Sequence, residues 1–107
     1  MAYTALLDAC VLYPAMLRDL LMRLALTDLY RAKWTADIHD EWMRNLAADR
    51  PDIPRASIEN IRDRMDSNVR DALIEHYAPL IATLALPDPA DRHVLAAAIV
   101  GRADVIV

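Results

Sequence analysis

At 107 residues, 56% of them apolar and 26% charged, the chain has material for one domain with its own core and too little for two. The formal net charge of −4 excludes a protein that holds nucleic acid chiefly through a long-range positive field, but not a nuclease whose own acids supply the negative charge. The single cysteine, Cys10, excludes an internal disulfide, makes a reducing compartment the expectation, and reads as packing.

Residues 3–7 form a short apolar run followed at once by Asp8, which suits a buried first strand ending near that acid, with Pro14 placed to open a helix. From Met16 to Leu29 the residues Leu17, Leu20, Leu21 and Leu24 keep the spacing of one helix face, and that face reads as core. Tyr30–Thr35 alternates Tyr30, Ala32 and Trp34 against Arg31 and Lys33, the pattern of a second strand. Ala36–Asp49 then reads as a helix with Ile38, Trp42, Asn45 and Leu46 on one side and Asp37, Asp40 and Arg44 on the other; Pro51 and Pro54 end it.

A further helix is expected over Arg55–Asn68, with Ile58, Ile61 and Met65 inward and Arg62, Asp63, Arg64 and Asp66 on a solvated outer face. A short helix over Arg70–Tyr77 and a third strand over Leu80–Leu86 follow. Asp88-Pro89-Ala90-Asp91 is a helix start, with Asp88 as N-cap and Pro89 in the first position. That helix should run through Val94, Leu95, Ala98 and Ile99 and stop at Gly101, the only glycine in the chain. Ala103–Val107 reads as a fourth strand. Strand, helix, strand, several helices, strand, helix, strand is the order of a parallel sheet covered by helices.

Three acids stand just past apolar segments: Asp8, Glu41 and Asp91. If those segments are parallel strands, the three carboxylates arrive at the sheet edge where open α/β sheets place ligands. Each also has an ordinary explanation: Asp8 as a turn residue, Glu41 as a solvated helix residue pairing with Asn45 or Arg44, Asp91 as a first-turn acid favoured by the helix dipole. However, Asp91 shares a stripe with Val94, Leu95 and Ala98, and Glu41 lies at the margin of the face that carries Ile38 and Trp42. Carboxylates gathered without cations either take up protons or bind a hard cation such as Mg²⁺ or Mn²⁺.

These residues resemble the PIN-domain family. Leu6-Leu7-Asp8-Ala9-Cys10-Val11-Leu12 looks like its first acidic motif, Glu41-Trp42-Met43-Arg44 is similar to its helical Glu with an Arg three residues on, and Asp91-Arg92-His93-Val94-Leu95-Ala96-Ala97-Ala98 resembles its third. The resemblance implies a three-layer α/β/α fold over residues 1–107 and a metal-dependent endoribonuclease, commonly the toxin of a VapC-type toxin–antitoxin pair. It implies Asp8, Glu41 and Asp91 as the catalytic set holding Mg²⁺ or Mn²⁺, with Arg44 as a substrate contact and Asp88 reaching the site through water at most.

PIN domains usually continue past this last strand with a polar residue, a fourth acid, a helix and a strand. With the chain ending at Val107, the expectation is an α/β/α fold whose C-terminal part is missing, which dimerises or pairs with another chain and cleaves RNA feebly. Asp104 is no substitute, since it precedes the last strand and belongs at the opposite edge.

The partners implied are an RNA substrate, a cognate antitoxin and a second copy of the chain. No apolar run reaches the roughly 20 residues of a membrane helix, and no basic leader opens the chain; the expected location is cytoplasmic, without membrane. Two other functions compete. One is a PIN-like module that binds without cleaving. The other is a metal-independent HEPN ribonuclease, to which Arg70 and His76 bear a likeness; the strand-like segments argue against that all-helical fold.

Overall fold

The computed structural model describes residues 3–84 and 89–107, with side chains described up to Leu84 and again from Arg92. In chain order the elements are β1 (Thr4–Leu6), α1 (Ala9–Leu12), α2 (Ala15–Leu26), β2 (Arg31–Lys33), α3 (Ala36–Asp49), α4 (Arg55–Asn68), α5 (Ala78–Ile81), α6 (Pro89–Val100) and β3 (Val105–Ile106). The strands form a parallel sheet in the order β2-β1-β3. Consecutive strand residues point to opposite faces, yet Ala5, Leu6 and Leu7 at 5%, 0% and 0% exposure are all buried, so both faces of the central strand are covered. This is the expected α/β architecture.

Register places Ala5 opposite Ala32 on one side and opposite Val105 on the other. β2 keeps the expected alternation: Ala32 and Trp34 are buried, while Arg31 faces solvent. α3 and α4 match their expected bounds. Thr35 opens α3 by accepting the Ile38 amide at 3.0 Å, which satisfies one donor otherwise orphaned in the first turn.

The burial of α3 departs from expectation in detail. Ile38 and Trp42 are buried, Leu46 is half-buried, and Asn45 is exposed. His39 and Met43 are buried instead, because α3 packs against both α1 and α4 and needs a face wider than one stripe. On α4, Ile58 and Met65 are inward as expected, but Asp66 is drawn off the solvated face by buried partners.

Three expectations are corrected. The Arg70–Tyr77 helix does not form: Trp34 and Leu73 make a parallel bridge, with the Trp34 amide donating to the Ala72 carbonyl at 2.9 Å and the Ile74 amide to the Trp34 carbonyl at 2.8 Å. Ala72 and Ile74 are buried around an exposed Leu73, a period of two misread as helical. Of the strand expected over Leu80–Leu86, the described part is not a strand: Leu80 and Ile81 belong to α5, which has Pro at its start, and Ala82–Thr83 turn. Ala85 and Leu86 lie outside the described residues. Finally, the apolar stripe of α2 is only partly core, since Leu21 and Leu24 are half-buried while Leu17 and Leu20 are 37% and 52% exposed. α2 packs chiefly on α1 and β2, and that contact needs a narrower face.

α6 ends before Gly101 as expected, but the residue that takes the left-handed conformation is Arg102, at φ 54°. Gly101 serves close approach: a Cβ there would collide with the Ile74 side chain and stand 3.1 Å from the Ala97 carbonyl. Asp88, the expected N-cap, lies outside the described residues. No described helix is long and apolar enough to cross a membrane.

Candidate active site

Asp8 stands where β1 stops. Its amide donates to the Val107 carbonyl at 3.1 Å, and its own carbonyl receives the Val11 and Leu12 amides at 3.2 and 3.3 Å, so its backbone is tied to both sheet and helix. Its Oδ1 accepts the Ala9 amide at 2.7 Å, capping α1. That leaves Oδ2 without a partner among the described residues, on a half-buried side chain. Placement at the C-terminal end of the central strand matches the sequence reading.

Glu41 lies in the second turn of α3, which leaves the sheet directly after β2 and packs against α1, the helix that Asp8 caps. It is half-buried and makes no hydrogen bond or ion pair with a described residue. The ordinary alternative, a pairing with Arg44 or Asn45 on the same helix, is not formed. Arg44 is exposed and unpaired among the described residues. Asp91 falls in the first turn of α6, but its side chain lies outside the described residues.

Among the described residues no three His, Cys, Asp or Glu side chains gather closely enough to hold a metal. What the fold does bring together is α1, capped by Asp8, and the helix that carries Glu41. Both carboxylates are partly withdrawn from water, keep unspent oxygens and form no ion pair with a described residue. Such donors fit a hard divalent cation. Asp104 lies at the other end of the sheet, its Oδ2 accepting the Thr4 amide at 2.8 Å, as expected.

Beside Asp8 a groove of about 340 Å³ runs between α1 and α3, lined by Ala9, Cys10, Tyr13, Glu41, Asn45, Ala48 and Asp49. The Tyr13 hydroxyl donates to Asp49 Oδ2 at 2.5 Å, and this bond to a carboxylate raises the tyrosine pKa above its ordinary value. A larger cavity of about 420 Å³ lies beside β2 and contains Arg31, Lys33 and Arg70 along with Asp28 and Asp71. Lys33 Nζ is already engaged there with the Asp71 carbonyl at 2.6 Å. None of the candidate acids lines it, so size is a poor guide to the site here.

Two supporting arrangements escaped the sequence reading. Trp42 Nε1 donates to His39 Nδ1 at 3.0 Å, which assigns the neutral ring's proton to Nε2; that nitrogen and Trp34 Nε1 both donate to Asp66 Oδ1, at 3.0 and 2.7 Å. Four side chains from β2's end, α3 and α4 are thereby interlocked. Arg18, from α2, donates to the Leu12 and Tyr13 carbonyls at 2.9 and 3.2 Å and lies 5.3 Å from the centre of the Trp42 ring. It fastens the C-terminal end of α1 to α3. Burial pulls the Arg18 pKa down from its ordinary value.

The Arg70 and His76 pair of the HEPN likeness is not carried on a helix: His76 is exposed, with a left-handed φ of 64°. No curated protein and no solved structure matches the chain. A family model described as PIN domain matches residues 4–107. The matched range includes Asp8, Glu41 and Asp91, and the family agrees with the parallel sheet. The chain therefore belongs to the PIN-domain family, whose members are generally nucleases that use divalent metals.

Proposed function

We propose that this chain is a metal-dependent endoribonuclease, the toxin of a VapC-type toxin–antitoxin pair, with Asp8, Glu41 and Asp91 as its metal ligands and Arg44 as a contact to substrate phosphate. One observation carries the reading: Asp8 is anchored at the carbonyl edge of the central strand with one carboxylate oxygen unspent. A bound Mg²⁺ or Mn²⁺ lowers the pKa of a coordinated water and stabilises charge on the scissile phosphate. The chain's own contribution is positional. The Ala9 amide holds the Asp8 carboxylate in place, and the packing of α1 on α3 ties the helix of Glu41 to the helix that Asp8 caps. Arg44, exposed one turn beyond Glu41, offers a guanidinium to a phosphate. Its partners in this reading are an antitoxin and a second copy of the chain.

RNA cleavage should vanish with EDTA and return with Mg²⁺ or Mn²⁺. The Asp8→Asn variant should remove it and bind Mn²⁺ about tenfold more weakly by calorimetry, because a charged oxygen ligand becomes neutral. Cleavage that persists in chelator, or equal Mn²⁺ affinity in wild type and variant, contradicts the assignment. Metal binding without turnover would favour a module that holds RNA without cutting it.

A further inference from the structure

The groove between α1 and α3 begins one residue beyond Asp8, so it adjoins the place that the nuclease reading gives the scissile phosphate. Its chemistry is unlike that of a phosphate track. Its described lining residues include Glu41, Asn45, Asp49 and Tyr13 and no Arg or Lys. Like charge disfavours a phosphate beside Asp49, which lies outside the proposed ligand set. Asn45 is exposed and has no side-chain hydrogen bond to a described residue, so its amide donor and acceptor are both available. Asp49 lies one helical turn further on the same face and spends Oδ2 on Tyr13, which leaves Oδ1 as an acceptor and fixes the ring that borders the groove. A volume of about 340 Å³ is at the lower end for small-ligand pockets.

We propose that this groove reads a single unstacked base flanking the cleavage site, and that the base it prefers is adenine. This rests on the nuclease reading above. An amide pairs with adenine at two points, its oxygen accepting from N6 and its nitrogen donating to N7. The second N6 proton then meets Asp49 Oδ1, and the base stacks on the Tyr13 ring as exposed bases stack on aromatic side chains. Uracil presents the O4 carbonyl where adenine presents N6, and an acceptor facing a carboxylate is repelled.

The test uses two short RNAs that differ only in A or U beside one cleavable bond, given in competition to the wild-type chain with Mn²⁺. The same RNAs are titrated by fluorescence anisotropy in EDTA. The A-flanked strand should be favoured about tenfold, and Asn45→Leu should bring the ratio close to one, since a bidentate amide–adenine pair discriminates by that order. Asp49→Ala, also at an exposed position, should reduce the ratio by an independent route. No A-over-U preference in either assay, or one that both variants retain, overturns the groove assignment while leaving the nuclease reading intact. A wild type that never cleaves yet binds the A-strand preferentially, with the preference lost in Asn45→Leu, upholds the groove and unseats the nuclease. Equal binding of both RNAs, with displacement by an arginine-rich peptide, assigns the groove to a protein partner and overturns the proposal.

Discussion

His39 shows how a side chain with no catalytic part still constrains the site. At 1% exposure its neutral ring is fully engaged, accepting from Trp42 and donating to Asp66. A second proton would sit on Nδ1, where the Trp42 N–H already points. Burial therefore pulls its pKa below 6.5, more strongly than the Asp66 carboxylate raises it. A depressed folded-state pKa means that the folded chain binds fewer protons than the unfolded one near that pH. The contribution to stability is present above the unfolded value of about 6.5 and is lost as pH falls below it. Denaturant melts in EDTA at pH 7.5, 6 and 5 should show the stability gap between wild type and His39→Gln narrowing with acidity; a gap that is flat or widens would contradict this account. His39 was not singled out from sequence because nothing local marks it. Trp42 is three residues on along the same helix, but Asp66, its other hydrogen-bond partner, is 27 residues away, and only the packing of α3 against α4 brings it within reach.

At the scale of elements, legibility followed length. α3 and α4 are 14 residues each, long enough for the 3.6-residue period to declare itself, and their bounds were readable. The segments between 70 and 86 are too short for periodicity to separate a strand from a helix. There the deciding influence is tertiary: the Trp34 backbone captures 72–74. α1 is shorter still, at four residues, and has no helix propensity to spare. Its position depends on Asp8 at one end and Arg18 at the other. Arg18→Met keeps much of the side-chain bulk but leaves the Leu12 and Tyr13 carbonyls without their donor. The expected cost is about 1–3 kcal/mol of stability by chemical denaturation. At a temperature where the variant remains folded, its Mn²⁺ affinity should also fall, because the spacing of Asp8 and Glu41 loosens. Affinity and stability both equal to wild type would show that the clamp is incidental.

For the whole molecule, the alternating β2 and the continuous apolar β1 were enough to imply a parallel sheet, and the order β2-β1-β3 puts Asp8 on the central strand. Of the acids read as converging, Asp8 and Glu41 fall on packed neighbouring elements; the described part of the segment expected as a third strand before Asp91 is not a strand, and the Asp91 side chain lies outside the described residues. The stripe on α2, read from sequence as core, is only partly so. Met16, Leu20, Leu26 and Leu29 are 88%, 52%, 56% and 67% exposed, which is a large apolar area for one helix and its following turn to leave in water. Asp19 and Arg23 lie on this face as an exposed pair 3.7 Å apart. In a two-fold antiparallel pairing of α2 with its copy, the Asp19 of each protomer comes opposite the Arg23 of the other, so the face is complementary to itself in charge as well as in apolar surface. Sedimentation at about 50 µM should therefore give a dimer. Leu20→Glu should convert it to a monomer by placing a charge in the buried centre, whereas raised salt should weaken it only slightly, since the rim charges are already screened. A wild-type monomer at that concentration, or a dimer that Leu20→Glu leaves whole, would remove α2 from the interface.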